Sequence, residues 1–279
     1  MATRIRHPIV AGAFYPRDAE TLRELVGELL EDPSATTEQL RRSVGLISPH
    51  AGYPYSGRTA AAGFCRVAGI GTPTTVIVLG ANHTGLGPAV ALDAHDAWET
   101  PLGRLIVDRE AIGQLTDDGM ATDTTAFARE HSIEVQLPFI QRLWPESTTI
   151  VPICVRSVSF EALTPAVEGI ANLLEDRPAL LVASSDFTHY EPADVAKRLD
   201  RGALDRILAR DPAAFLEHVR AEGLTICGDG AIAVLMGVCD RLDLGQTELI
   251  HYTTSGEATG DEESVVGYAS VLFSGGSDD

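Results

Sequence analysis

The sequence predicts an α/β fold, in which helices pack on a mixed, mostly parallel central sheet within a single domain of residues 1–279. Three β-branched, apolar runs have the composition of strands that are buried on both faces, and they are Val44–Ser48, Thr75–Leu79 and Leu180–Ser184. Segments with helical spacing separate these runs, and such alternation is typical of a sandwich with a parallel centre. The chain closes with two strand-like runs, Glu248–Thr253 and Val265–Phe273, which predict an antiparallel edge.

The remaining elements follow from the same periodicities. The helical period of apolar residues predicts helices at Asp18–Glu31, Ser56–Val67, Glu130–Trp144, Phe160–Leu174, Pro192–Ala209, Pro212–Arg220 and Gly228–Leu242. Asp18 is placed to cap the first of these helices. Three further runs predict strands, and they are Ala89–Leu92, Leu105–Val107 and Thr149–Val155. The last few residues are expected to form a disordered tail.

Composition narrows the class of protein. Asp and Glu total 40 against 21 Lys and Arg, which gives a net charge of −19. Such a surface repels polyanions, so nucleic acid and anionic membranes are not expected as partners. No apolar run approaches the ~20 residues that span a bilayer, and the first residues lack the apolar stretch of a signal peptide. A cytoplasmic protein is therefore expected, and its four widely spaced cysteines are expected to be reduced thiols.

A histidine follows each of the three predicted central strands. These residues are His50, His83 and His189. In open α/β sheets, ligands bind just outside the carboxyl ends of the strands. If the three strands are neighbours, the three imidazoles and Asp186 converge on one edge of the sheet. That arrangement suits holding a metal or transferring a proton.

Each of these residues also has a simpler interpretation. His50 and His83 could be solvated turn residues, although their position at strand ends favours a functional role. The glycine-rich loop around His83 could bind phosphate, but its spacing matches neither the dinucleotide fingerprint nor the Walker loop. Asp186 could be a helix N-cap, or it could orient His189, three residues later, and raise the basicity of that imidazole.

His131 and Cys227 are two further candidates. His131 and Glu134 stand at i and i+3 on one helix face, and taken alone this pair favours a capping network on a solvated turn. Cys227 precedes a strongly apolar helix, whose N-terminal dipole favours a thiolate suited to metal ligation or nucleophilic attack. The other three cysteines lie in apolar stretches and are expected to be packing residues.

Motifs along nearly the whole chain resemble the Memo family, the B component of the set named AmmeMemoRadiSam. The segments that carry the resemblance are Gly12–Pro16, Pro49–Tyr53, Leu79–His83, Glu130–Glu134, Ser184–His189 and Cys227–Gly230. Memo proteins are similar in fold to class III extradiol dioxygenases, the non-haem iron enzymes that open catechol rings. The resemblance implies a metal held by His50, His83 and Cys227, with Asp186 and His189 lining the same pocket.

The third ligand is the point at which the chain departs from those dioxygenases. In those enzymes the metal is bound by two histidines and a carboxylate, whereas the residue that matches the carboxylate here is Cys227. A thiolate suits iron, copper or zinc, and iron is the metal expected here. The acid/base histidine of the dioxygenases matches His189.

Three functions therefore remain open. The favoured one is a non-haem iron- or copper-dependent oxidoreductase that acts on an unidentified small molecule, with His189, Asp186 and His131 as catalytic candidates. The second is a peptide-binding module without turnover, since some Memo proteins are described as engaging phosphotyrosine peptides. The charge of −19 counts against an anionic peptide. The third is a zinc or thiol hydrolase, in which Cys227 pairs with His189 or His131.

Overall fold

Strands and helices alternate along most of the chain. The structure is a computed structural model that describes residues 3–31 and 35–276, and the end of the predicted tail, residues 277–279, lies outside them. The strands are β1 (Ile5–Arg6), β2 (Val44–Ser48), β3 (Thr75–Ala81), β4 (Val90–Asp93), β5 (Ala97–Thr100), β6 (Gly103–Ile106), β7 (Ala121–Asp123), β8 (Thr149–Val155), β9 (Leu180–Ser184), β10 (His189–Glu191), β11 (Gln246–Thr254) and β12 (Val265–Ser274). The helices are α1 (Ala19–Leu30), α2 (Tyr53–Ala68), α3 (Arg109–Asp117), α4 (Leu137–Leu143), α5 (Phe160–Glu175), α6 (Ala193–Leu208), α7 (Pro212–Ala221), α8 (Asp229–Arg241) and α9 (Gly256–Thr259), with a 3₁₀ turn at Glu134–Gln136.

The main sheet is mixed and has a parallel centre. Its strands follow the order β10-β12-β2-β9-β3-β8-β4-β7, and β11 also pairs with β12. The four central strands β2, β9, β3 and β8 are parallel, whereas β12 and β4 flank them in antiparallel pairs. Every residue of β2, β3 and β9 is buried, which explains their continuous apolar runs. The predicted sheet type is confirmed.

Helices α2 and α8 cover opposite faces of this sheet. A Cβ on Gly45 would lie 2.7 Å from Cys239 Sγ of α8, so glycine there lets the helix approach closely. Leu46 is the next residue of β2, and its side chain packs against Gly63 of α2. Successive residues of a strand point to opposite faces, so the two helices sandwich β2. None of the helices within the described residues is long and apolar enough to cross a membrane.

Two of the predicted elements are arranged differently in the structure, and helix α3 was not predicted. The strand predicted at Leu105–Val107 belongs to a separate small sheet of β1, β5 and β6, whose strands are too short to show a clear period. The helix predicted at Glu130–Trp144 begins only at Glu134. The reason is that the Glu130 carboxylate accepts hydrogen bonds from the backbone N–H groups of His131 and Ser132, which holds this segment as a turn.

The side chain of Glu134 is buried, so the predicted solvated turn is wrong. Its carboxylate pairs with Arg6 and accepts hydrogen bonds from the backbone of Ile9 and Val10 and from the Tyr15 hydroxyl, the last at 2.6 Å. A buried carboxylate needs such a full set of donors because it has lost its hydration. These bonds fasten the N-terminal segment against the turn that carries His131.

Candidate metal centre

The three strand-end histidines line one cleft, as predicted. Strand β9 lies between β2 and β3, with Ala183 aligned with both Ile47 and Leu79. The three strands are parallel and end at the same edge of the sheet. The loops that follow them carry His50, His83 and Asp186 into a shared cleft, and His189, at the start of β10, lines the same cleft.

Three imidazoles meet at the base of this cleft, and they belong to His50, His83 and His131. One nitrogen from each lies within 4.8 Å of the other two. The rings of His83 and His131 stack at 4.7 Å with an interplanar angle of 16°, and the His50 ring stands edge-on to both. Imidazole is a ligand for zinc, copper and iron, so this cluster is a candidate metal centre.

Glu130 orients His83. Its carboxylate accepts the His83 backbone N–H at 2.9 Å and lies 2.9 Å from His83 Nδ1. Because a carboxylate can only accept a hydrogen bond, the proton of the His83 ring is on Nδ1. The lone pair of Nε2 is then free to bind a metal. Partial burial lowers the pKa of His83, but the hydrogen bond and charge of Glu130 outweigh it and raise that pKa. Burial would raise the pKa of Glu130, yet its bonds to His83 and to the backbone lower it to about 2.

Replacing Glu130 with Gln is expected to weaken transition-metal binding by about 10–100-fold, the usual effect of losing a carboxylate that orients a ligand histidine. The amide removes the charge that makes His83 basic and is a weaker acceptor for its Nδ1–H. Competition with a chromophoric chelator would measure the affinity, and a thermal melt would check folding. Glu146→Gln makes the same change at an exposed glutamate outside the cleft and should bind as wild type does. Unchanged affinity in Glu130→Gln would contradict this role.

A hydrogen-bond network also determines the tautomer of His50. The Ser184 hydroxyl donates to the Ser132 carbonyl at 2.7 Å, so its oxygen accepts from Gln136 Nε2 at 2.8 Å and from His50 Nδ1 at 3.0 Å. His50 therefore carries its proton on Nδ1, and Nε2 is free. Burial, and then the neighbouring imidazoles, lower the pKa of His50 well below its usual value. The ring is neutral, as a metal ligand must be.

Cys227 lies beside His50. Its Sγ is 3.1 Å from His50 Nε2 and accepts the Asp186 backbone N–H at 3.3 Å. Nitrogen and sulfur atoms that bind one metal at about 2.1 and 2.3 Å stand roughly 3.1–3.6 Å apart, so the separation from His50 fits shared ligation. Among the described residues, however, the cluster whose ligand atoms all lie within 4.8 Å of one another contains His131 and not Cys227. The thiolate expected at this helix start is not favoured in the protein alone, because burial and the Asp186 carboxyl raise the pKa of Cys227. A bound cation would reverse that preference.

Asp186 and His189 line the cleft but do not pair with each other. Asp186 accepts a hydrogen bond from the His50 backbone N–H at 2.7 Å. Burial raises the pKa of Asp186 to about 7, although this hydrogen bond acts to lower it. His189 Nδ1 lies 2.9 Å from the Thr225 carbonyl, and the His189 backbone N–H donates to Thr225 Oγ1 at 2.7 Å. The predicted contact between the two side chains is therefore wrong. Thr225, and not Asp186, holds the tautomer of His189, and Nε2 is again the free nitrogen.

The sequence missed the residues that hold the histidines in place. These residues are Glu130, Ser184, Gln136 and Thr225. Their hydrogen bonds join residues that are distant in the chain and buried together, and the spacing of residues along the sequence predicts neither property. Glu130 and Ser184 had one signal, since each begins a segment of the family resemblance.

The cleft itself suits a small molecule. Its volume is about 350 Å³, and both aromatic side chains and the histidines line it. These aromatic residues are Phe14, Tyr55, Tyr190 and Tyr268. Phe14 stands edge-on to His131 at 4.9 Å, which shields one side of the imidazole cluster.

Comparison with known proteins identifies the family. The model of a family described as Memo-like protein matches residues 6–272. A MEMO1 family protein from Methanopyrus kandleri is 42% identical over 282 residues, which cover 96% of this chain and 98% of that relative. A MEMO1 family protein from Nitrosopumilus maritimus is 38% identical over 274 residues, which cover 96% and 99%.

A solved structure supports the fold alone. An uncharacterized protein from Escherichia coli K12 superimposes with a TM-score of 0.55 at 12% identity, covering 83% of this chain and all of that one (100%). Identity at this level carries no information about ligands or reaction. The family assignment comes instead from the sequence relatives and from the match over residues 6–272, and on these grounds the chain belongs to the Memo family.

Proposed function

We propose that this chain is a non-haem metal-dependent oxidoreductase, similar to class III extradiol dioxygenases, that acts on a small molecule bound in the cleft. The observation that carries the proposal is the fixed tautomer of two histidines. Glu130 accepts a hydrogen bond from Nδ1 of His83, and Ser184 accepts one from Nδ1 of His50. Both Nε2 atoms therefore keep a free lone pair for a metal, and both belong to one imidazole cluster. Histidines that bind a metal typically have their other ring nitrogen hydrogen-bonded in this way.

In this proposal the metal ligands are His50, His83 and Cys227. The short separation between Cys227 Sγ and His50 Nε2, 3.1 Å, supports the thiol as the third ligand. His131 is the competing third ligand, because its imidazole belongs to the same cluster. Iron is the favoured metal, with copper and zinc as alternatives, since mixed imidazole and thiolate donors suit all three. A bound iron or copper ion would supply redox chemistry and a Lewis acid beside the substrate.

His189 serves as the acid/base group. Its Nδ1 proton is committed to the Thr225 carbonyl, so Nε2 is free to take a proton from a molecule in the cleft. Burial lowers the pKa of His189, which keeps the imidazole neutral and ready to act as a base at neutral pH. Asp186 positions the His50 loop through the backbone N–H of that residue.

Protein purified without oxygen is expected to contain about one iron ion per chain, because the proposed centre has mixed imidazole and thiolate ligands that suit iron. Oxygen is excluded so that the iron is not oxidised during purification. Elemental analysis and electron paramagnetic resonance would give the metal content and its oxidation state. Chelator treatment should then remove both the metal and any oxygen uptake. A chain that purifies without metal and takes up neither Fe(II), copper nor zinc would contradict the proposal. Tight binding of zinc alone would favour the hydrolase.

A further inference from the structure

Tyr190 lies at the rim of the cleft in a backbone conformation that tyrosine rarely adopts. Its φ is +62°, in the left-handed region where a Cβ is crowded by the backbone. In the antiparallel pair of β10 and β12, His189 aligns with Val266 and Glu191 with Val265, so Tyr190 is the extra residue of a β-bulge. A bulge residue in this conformation is usually glycine.

Packing does not offset the strain of this conformation. The Tyr190 residue is 77% exposed, so its ring buries little surface in the fold. The ring nevertheless lines the cleft beside His50, His83 and His189, and its centroid lies 5.7 Å from that of His189. Bulges next to functional sites commonly redirect a side chain, and here the bulge directs an aromatic ring to the mouth of the candidate metal centre.

We propose that Tyr190 is a specificity-determining residue, which stacks on a planar, π-rich part of the molecule that binds at the metal centre. The inference rests on the proposed function, since it assigns a substrate class to the same cleft. Tyr55, which is 47% exposed, supplies a second aromatic surface to this cleft. Rings with free faces contribute to binding by offset or edge-to-face stacking.

The experiment compares Tyr190→Gly and Tyr190→Phe with wild type, all loaded with redox-inert Zn(II). The probe is 4-nitrocatechol, whose visible absorbance reports binding. Tyr190→Gly should bind the probe about 3- to 10-fold more weakly, the effect of one lost stacking contact. Its Tm should be unchanged or raised by up to about 3 °C, because glycine adopts this φ without strain. Tyr190→Phe keeps the ring and should bind the probe within about twofold of wild type.

Asp243→Gly is the matched control. Asp243 also has a positive φ, +53°, but it is an exposed residue beyond the C-terminal end of α8, and it does not line the cleft. This variant should bind the probe as wild type does.

Probe affinity unchanged in Tyr190→Gly, or reduced equally in Tyr190→Phe, would overturn the stacking role. A Tm lowered by more than about 5 °C in Tyr190→Gly would overturn it too, since the ring would then support the fold. Failure of wild type to bind Zn(II) would instead count against the proposed function, and titration of the metal-free chain would still test Tyr190.

Discussion

Alanine in place of His50 or His83 is expected to reduce transition-metal affinity by more than about 100-fold, beyond the effect of losing a residue that only orients a ligand histidine. Each substitution removes one donor nitrogen whose orientation the fold has already fixed through Ser184 or Glu130. Fe(II), copper and zinc would each be titrated into wild type and variants, with thermal melts to confirm folding.

Two further variants decide the third ligand. Cys227→Ala is expected to match the loss at His50, because Sγ stands 3.1 Å from His50 Nε2. His131→Ala should cost less, since its ring is proposed to flank the metal and not to bind it. The reverse order would replace the thiol by a third imidazole. His251→Ala is the control, because that histidine bonds to Thr59 outside the cleft. Equal metal affinity in wild type and all the variants would contradict the proposed metal centre.

Alanine in place of His189 is expected to leave metal content nearly unchanged while turnover falls by about 10²–10⁴-fold, the usual contribution of general acid–base catalysis. The reason is geometric, since Thr225 holds Nδ1 and leaves Nε2 free in a cleft whose proposed metal ligands are other residues. The measurement pairs metal stoichiometry with oxygen consumption on a panel of catechols and small phenols.

His189→Asn sharpens this test. Its amide nitrogen takes the place of Nδ1 and can still donate to the Thr225 carbonyl, but the amide cannot take up a proton, so this variant should lose turnover as His189→Ala does. Loss of the metal together with His189 would place that residue among the ligands. If wild type turns over nothing on the panel, the peptide-binding alternative gains support.

The fold was largely predictable because burial leaves a direct trace in composition. β2, β3 and β9 are buried on both faces, so each is a continuous apolar run that local periodicity detects. Of the small sheet of β1, β5 and β6, only the run at Leu105–Val107 was predicted, since the longest strands of that sheet have four residues and β6 is mostly exposed. The first turn of the predicted helix at Glu130 was lost because a side chain competed with the helix for backbone donors.

For the site, the sequence predicted that His50, His83, Asp186 and His189 share one edge of the sheet, on the condition that their strands are neighbours. Parallel neighbouring strands end together, so a strand-then-histidine pattern is enough to predict convergence. The hydrogen bonds that hold those side chains became visible only in the folded protein. Glu130 orients His83 from 47 residues away, and Ser184 orients His50 from 134. Hydrogen bonds at such separations depend on which polar atoms are buried against each other, and no local spacing encodes that.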